Sequence, residues 1–144
     1  LRSWPKHPFL ADKPAAKAHP IKGYVSTMIF ASWVGTYLDL LLVEKQFYSF
    51  PFRLFPDLFK FNVLFTLFIL PLGTFLFLYA VENLRPLQRF CLMLFISLAM
   101  AVVEQLSEQM GWFAHGAKWS HFYSFLGYTI FMWMILKYHR WMNK

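Results

Sequence analysis

Four apolar runs, each near 20 residues and separated by polar loops, limit what this chain can become more than any other feature. They cover about 23–43, 61–81, 90–110 and 122–141. About 20 apolar residues make a helix long enough to cross the ~30 Å hydrocarbon core of a bilayer. Inside a bilayer the backbone must bond to itself, so runs of this length are read as helices. The expected fold class is all-α: a four-span transmembrane helical bundle, multi-pass in the cell membrane, with N- and C-termini cytoplasmic. Composition agrees. Of 144 residues, 58% are hydrophobic, 15% are charged and 18 are Phe, whereas soluble domains are about 45–50% apolar and about 25% charged. These figures exclude a disordered chain and a disulfide scaffold and leave room for one domain only.

Residues 1–22 differ from the rest. Pro5, Pro8, Pro14 and Pro20 disfavour helix. Arg2, Lys6, Lys13, Lys17 and Lys22 suit an anionic leaflet, at about 1 kcal/mol each near its surface. This stretch is expected to be a basic, Pro-rich cytoplasmic tail that contacts anionic lipid, with 23–144 as the transmembrane domain. It has no apolar segment followed by a small-residue cleavage site, so span 1 is expected to act as an uncleaved anchor. Lys and Arg number ten in the tail, the 82–89 loop and the C-terminus, against four in the 44–60 and 111–121 loops. That excess puts both termini in the cytoplasm. Trp112 and Trp119 mark the outer interface; Tyr24, Tyr138 and Trp141 mark the inner one. Cys91 is the lone cysteine and supports neither an internal disulfide nor dithiol chemistry.

In this orientation the polar groups of the spans collect at one depth. Asp39 lies about 6 Å from the outer end of span 1 at 1.5 Å per residue. Glu104 sits at similar depth in span 3, with Glu108 one turn further out. Asn62 opens span 2, His121, Tyr123 and Ser124 open span 4, and His115 and Trp119 precede it. No equivalent group lies in the inner half. On span 3, Ser97, Ala101, Glu104, Glu108 and Gly111 share one stripe, as do Ser32, Gly35, Thr36 and Asp39 on span 1. The small pairs Ala31/Gly35 and Ser97/Ala101 allow close helix approach. Spans 1 and 3 are therefore expected to pack with Asp39 facing Glu104. Pro71 and Gly73 are expected to kink span 2, and the carbonyl that Pro71 frees must find a donor inside the bundle. In the 44–60 loop, Phe52, Phe55 and Phe59 fit one helical face. This segment reads either as a lid over the outer helix ends or as an interfacial segment resting in the headgroups.

Carboxylates at this depth face protein and hold a partner or a proton. Three readings stay open. Asp39 and Glu104 form a proton or cation site; or they are structural, with Tyr123, Ser124 or Trp119 as donors; or Glu104, Glu108, His115 and His121 bind a divalent metal. A membrane haem lacks a mid-span His for axial ligation. The chain has no Gly-x-Ser-x-Gly elbow, phosphate loop or His-Glu-x-x-His helix. Its Phe residues sit in spans rather than along a basic face, which excludes nucleic acid as a partner.

The order Tyr37-Leu38-Asp39, an aromatic loop, Pro71, Glu104, Gly111-Trp112-Phe113, then Trp119, Tyr123-Ser124 and Tyr128 resembles an uncharacterised family of small four-helix integral membrane proteins of spore-forming Gram-positive bacteria. The resemblance spans about 24–141. Val34-Gly35 and Thr74 depart from it, where a Thr-Asp pair and an Asn would stand. It implies a membrane location and a fold, not an activity. The expected function is a non-catalytic accessory, assembly or interaction subunit of a membrane complex. A small proton- or cation-coupled transporter or channel subunit using Asp39 and Glu104 is the alternative, and a metal-dependent membrane enzyme a more distant one. The expected partners are the lipid bilayer and either a second copy of the chain or another membrane protein.

Overall fold

The computed structural model describes residues 20–144; the basic stretch expected to contact anionic lipid lies almost wholly outside them. The chain is all-α. Helices α1 (Pro20–Glu44), α2 (Leu70–Val81), α3 (Pro86–Gln109) and α4 (His121–Met142) carry the fold, with two-residue strands β1 (Tyr48–Ser49) and β2 (Ala114–His115). α1 and α3 are long and apolar enough to cross a membrane. Only 11% and 22% of their most apolar stretches are buried in the protein. α2 and the turn before it form a shorter apolar helix, Phe65–Val81. α4 is longer, but Tyr138, His139, Lys137 and Arg140 dilute its apolar character.

α1 packs on α2 and α4, and α3 packs on α4. The expected pairing of spans 1 and 3 is not the one formed. A Cβ added at Gly35 would run into the Leu70 side chain, so this glycine admits the entry to α2. Ala31, fully buried, sits in a core with Phe77, Leu78, Met93, Met132 and Ile135. Ser97 and Ala101 are buried on α3, and Ser97 accepts a hydrogen bond from Thr129 of α4 at 2.9 Å. Small residues do set close approach here, but between different helices from those expected.

The expected disturbance at Pro71 takes the form of a widened turn. Residues Phe65–Ile69 are π-helical, and Leu70 N–H bonds the Phe65 carbonyl five residues back. In that register the donor for the Thr66 carbonyl would be Pro71, which has none. Ser32 of α1 supplies it, at 2.6 Å. A side chain added at Gly73 would meet nothing within 4 Å, so no neighbour demands a glycine there.

Two devices fold the loops back over one end of the bundle. Gly111, at φ +76°, ends α3: its N–H bonds Glu108 O and Trp112 N–H bonds Ser107 O, the paired bonds of a left-handed glycine cap. The chain then returns to pair antiparallel with the first loop, Tyr48 opposite His115 and Ser49 opposite Ala114. Gly116 N–H donates to Phe47 O at 2.8 Å, and a Cβ there would lie 2.5 Å from the Gln46 carbonyl oxygen. Beyond this ladder, residues 51–60 are not helical. Pro51, Pro56 and the positive φ of Phe55 break any helix, and the Arg53 guanidinium instead bonds the Phe50, Pro56 and Phe59 carbonyls. Phe52 and Leu58 point outward, 69% and 75% exposed.

Candidate functional site

The end of the bundle that carries these two loops holds most of the polar groups expected to meet. Glu104, in the last third of α3, is the centre. Its side chain is 9% exposed. One oxygen accepts from Ser124 Oγ at 2.5 Å and lies 3.1 Å from His121 Nδ1. The other accepts from Tyr128 at 3.4 Å. Ser124 in turn accepts from Trp119 Nε1 at 3.0 Å. A carboxylate with few water contacts is thus solvated by donors from the facing helix, as a buried anion requires.

Glu108 lies one turn beyond and reaches two imidazoles. Oε1 contacts His115 Nδ1, and Oε2 is 3.2 Å from His121 Nε2. Each ring is held by its own local structure. His115 sits on β2, fixed by the ladder. His121 is the first residue of α4, behind Ser120, whose hydroxyl accepts from Phe122 N–H and caps the helix. One reactive atom from each of Glu108, His115 and His121 falls within 4.8 Å of the others. Both ring nitrogens of His121 face carboxylates, yet a neutral imidazole carries one N–H only.

Asp39 is not hydrogen-bonded into this cluster, although the Tyr48 and Tyr128 hydroxyls lie close enough to feel both it and Glu104. Tyr48 donates to its Oδ1 at 2.6 Å, while Oδ2 is buried with no partner among the described residues. No hydrogen bond joins Asp39 to Glu104 there; each carboxylate has its own donors. Burial, with Asp39 beside it, pushes the Tyr48 hydroxyl well above the usual phenol range, so it stays a donor. Its ring packs against Trp119 and Phe113, with centroids 5.6 and 5.3 Å away.

Two other expected members do not join. Asn62 accepts from Phe65 N–H at 3.3 Å, capping the helix that follows. Tyr123 is 54% exposed, and its ring lies 5.8 Å from that of Trp119. The opposite end, expected to lack comparable groups, has a smaller polar set. Thr27 contacts His139 Nδ1 at 3.1 Å, Tyr24 donates to Glu82 at 2.9 Å, and Ser26 meets Tyr138 at 3.1 Å. Tyr48 was missed because the reversal that carries it back to Asp39 turns on Gln46 at φ +57°, with Gln46 N–H on Val43 O and Phe47 N–H on Leu42 O, a cap that no glycine marks in the sequence. Compared with known proteins, the chain matches no family model, no curated protein and no solved structure.

Proposed function

We propose that the chain is a four-span integral membrane protein with both termini cytoplasmic, serving as a non-catalytic assembly or interaction subunit of a membrane complex. The observation that carries this reading is its exposed apolar surface. Trp33, Phe95, Leu87 and Ile130 are 64–73% exposed, while Thr27, Thr66 and Ser97 are fully buried beside the apolar core. Water would penalise that surface by about 25 cal/mol per Å² of apolar area, whereas lipid does not. α1 carries a continuous exposed apolar face. Ile21, Val25, Ile29, Trp33 and Tyr37 recur every four residues along it, all exposed, beside a recess of about 270 Å³ lined by Ser26, Phe30 and Tyr138. That face suits a partner helix. Photo-crosslinking from Ile29 in native membranes tests the reading. A discrete crosslinked species is expected; a monomer with no crosslinked partner contradicts it.

A second reading, a small proton- or cation-coupled transporter or channel subunit, is favoured by Asp39 Oδ2, a buried oxygen without a donor among the described residues. Such an oxygen is where a carboxylic proton would reside. Proteoliposome flux abolished by Asp39→Asn and reduced by Glu104→Gln is the expected outcome under that reading. Flux insensitive to both rejects it.

A further inference from the structure

We propose that Glu108, His115 and His121 form a site for a zinc-type divalent transition metal, with Glu104 as the carboxylate that orients His121. The ligands come from the last turn of α3, from β2 and from the first residue of α4. Their converging atoms lie within 4.8 Å of one another. Zinc bonds of ~2.0–2.2 Å place tetrahedral ligand atoms ~3.3–3.5 Å apart. Closing the cluster therefore takes movements of about 1 Å, within reach of the half-exposed His115 side chain.

The placement of His121 is the second support. Its Nδ1 lies 3.1 Å from Glu104 and its Nε2 3.2 Å from Glu108. A metal at Nε2, shared with Glu108 and His115, would leave Nδ1–H to donate to Glu104. That is the carboxylate–histidine–metal arrangement, in which the outer carboxylate fixes the tautomer and raises the basicity of the ligating nitrogen. The outer layer is already assembled. Ser124 and Tyr128 hold Glu104, and Trp119 holds Ser124. The third support is the donor set. Two imidazoles and one carboxylate suit zinc and its neighbours in the transition series, whereas calcium and magnesium take oxygen ligands. Three protein ligands leave a fourth position to water or an exogenous group. A bound ion would tie the 111–121 loop to α3 and α4.

This site does not depend on the assembly reading. The test uses the full chain, purified in detergent without a histidine tag, and Zn²⁺ or Co²⁺ alone as probe. One zinc per chain retained through gel filtration in the presence of a weak chelator is expected. Co²⁺ should give the intense visible absorption of a four-coordinate centre, which Zn²⁺ should bleach. His115→Gln and His121→Gln should each weaken binding by at least tenfold, and Glu104→Gln by roughly 10–100-fold. A wild-type chain that retains no zinc and gives no Co²⁺ band overturns the proposal. So does binding that His115→Gln and His121→Gln leave unchanged. If a variant aggregates, the wild-type Co²⁺ spectrum and its displacement by Zn²⁺ still decide the matter. A chain that binds no metal yet crosslinks from Ile29 loses this proposal and keeps the assembly reading.

Discussion

The two ends of the bundle hold polar groups in different ways. At the end capped by the two loops, Glu104 receives Ser124 and Tyr128 and meets His121, which also meets Glu108, which also meets His115. One network crosses three segments. At the end near residues 20 and 144 the sets are smaller and unbranched: Thr27 meets His139, which meets Asn143, while Tyr24 with Glu82 and Ser26 with Tyr138 are pairs. The last member of so short a set can be cut with little consequence for its neighbours. A network cannot, because each member removed strands several partners. Hydrogen bonds between membrane helices average only about 0.6 kcal/mol each, so the contrast lies in connectivity rather than in bond strength.

The largest effect is expected from Glu104→Ala. It strands two hydroxyl donors and one contact of His121, and should cost about 2–4 kcal/mol, read as a shift in the unfolding midpoint in mixed micelles. Gly116→Ala comes next. Its methyl group collides with the Gln46 carbonyl, and overpacking of this kind costs about 1–3 kcal/mol. The strain should open the ladder, seen as faster proteolysis within 44–60 without loss of the helices. Ser32→Ala leaves the Thr66 carbonyl without its donor and should cost about 1 kcal/mol, measured in the same micelle unfolding. Thr27→Val removes the terminal contact of the short Thr27–His139–Asn143 set at the opposite end and should cost about 0.6 kcal/mol. If Thr27→Val proves as damaging as Glu104→Ala, the distinction between the branched network and the small sets fails.

The helices were largely legible in the sequence because apolar runs and prolines mark them directly. Observed bounds of α1, α3 and α4 fall within four residues of the apolar runs. The Ser97–Glu108 stripe was also legible, since helical spacing alone puts those residues on one face. Which helix that face meets was not. Gly35 and Ala31 permit close approach to any neighbour, and only packing chose α2 over α3. The ladder was invisible because two-residue strands have no periodicity. Without it, His115 and Tyr48 looked like loop residues, and the partner of Asp39 could not be named. His139 and Thr27 were missed for a related reason: they are far apart in the chain, and nothing local pairs them.

The proposed orientation puts the polar cluster at the outer end of the membrane-spanning helices. Cysteine labelling in intact cells addresses that most directly, using a chain with Cys91→Ser and a single new cysteine at either Leu58 or Asn143. A membrane-impermeant maleimide should label Leu58→Cys in intact cells and reach Asn143→Cys only after permeabilisation. Labelling of Asn143→Cys in intact cells, with Leu58→Cys protected, would contradict the orientation and move the cluster to the cytoplasmic side.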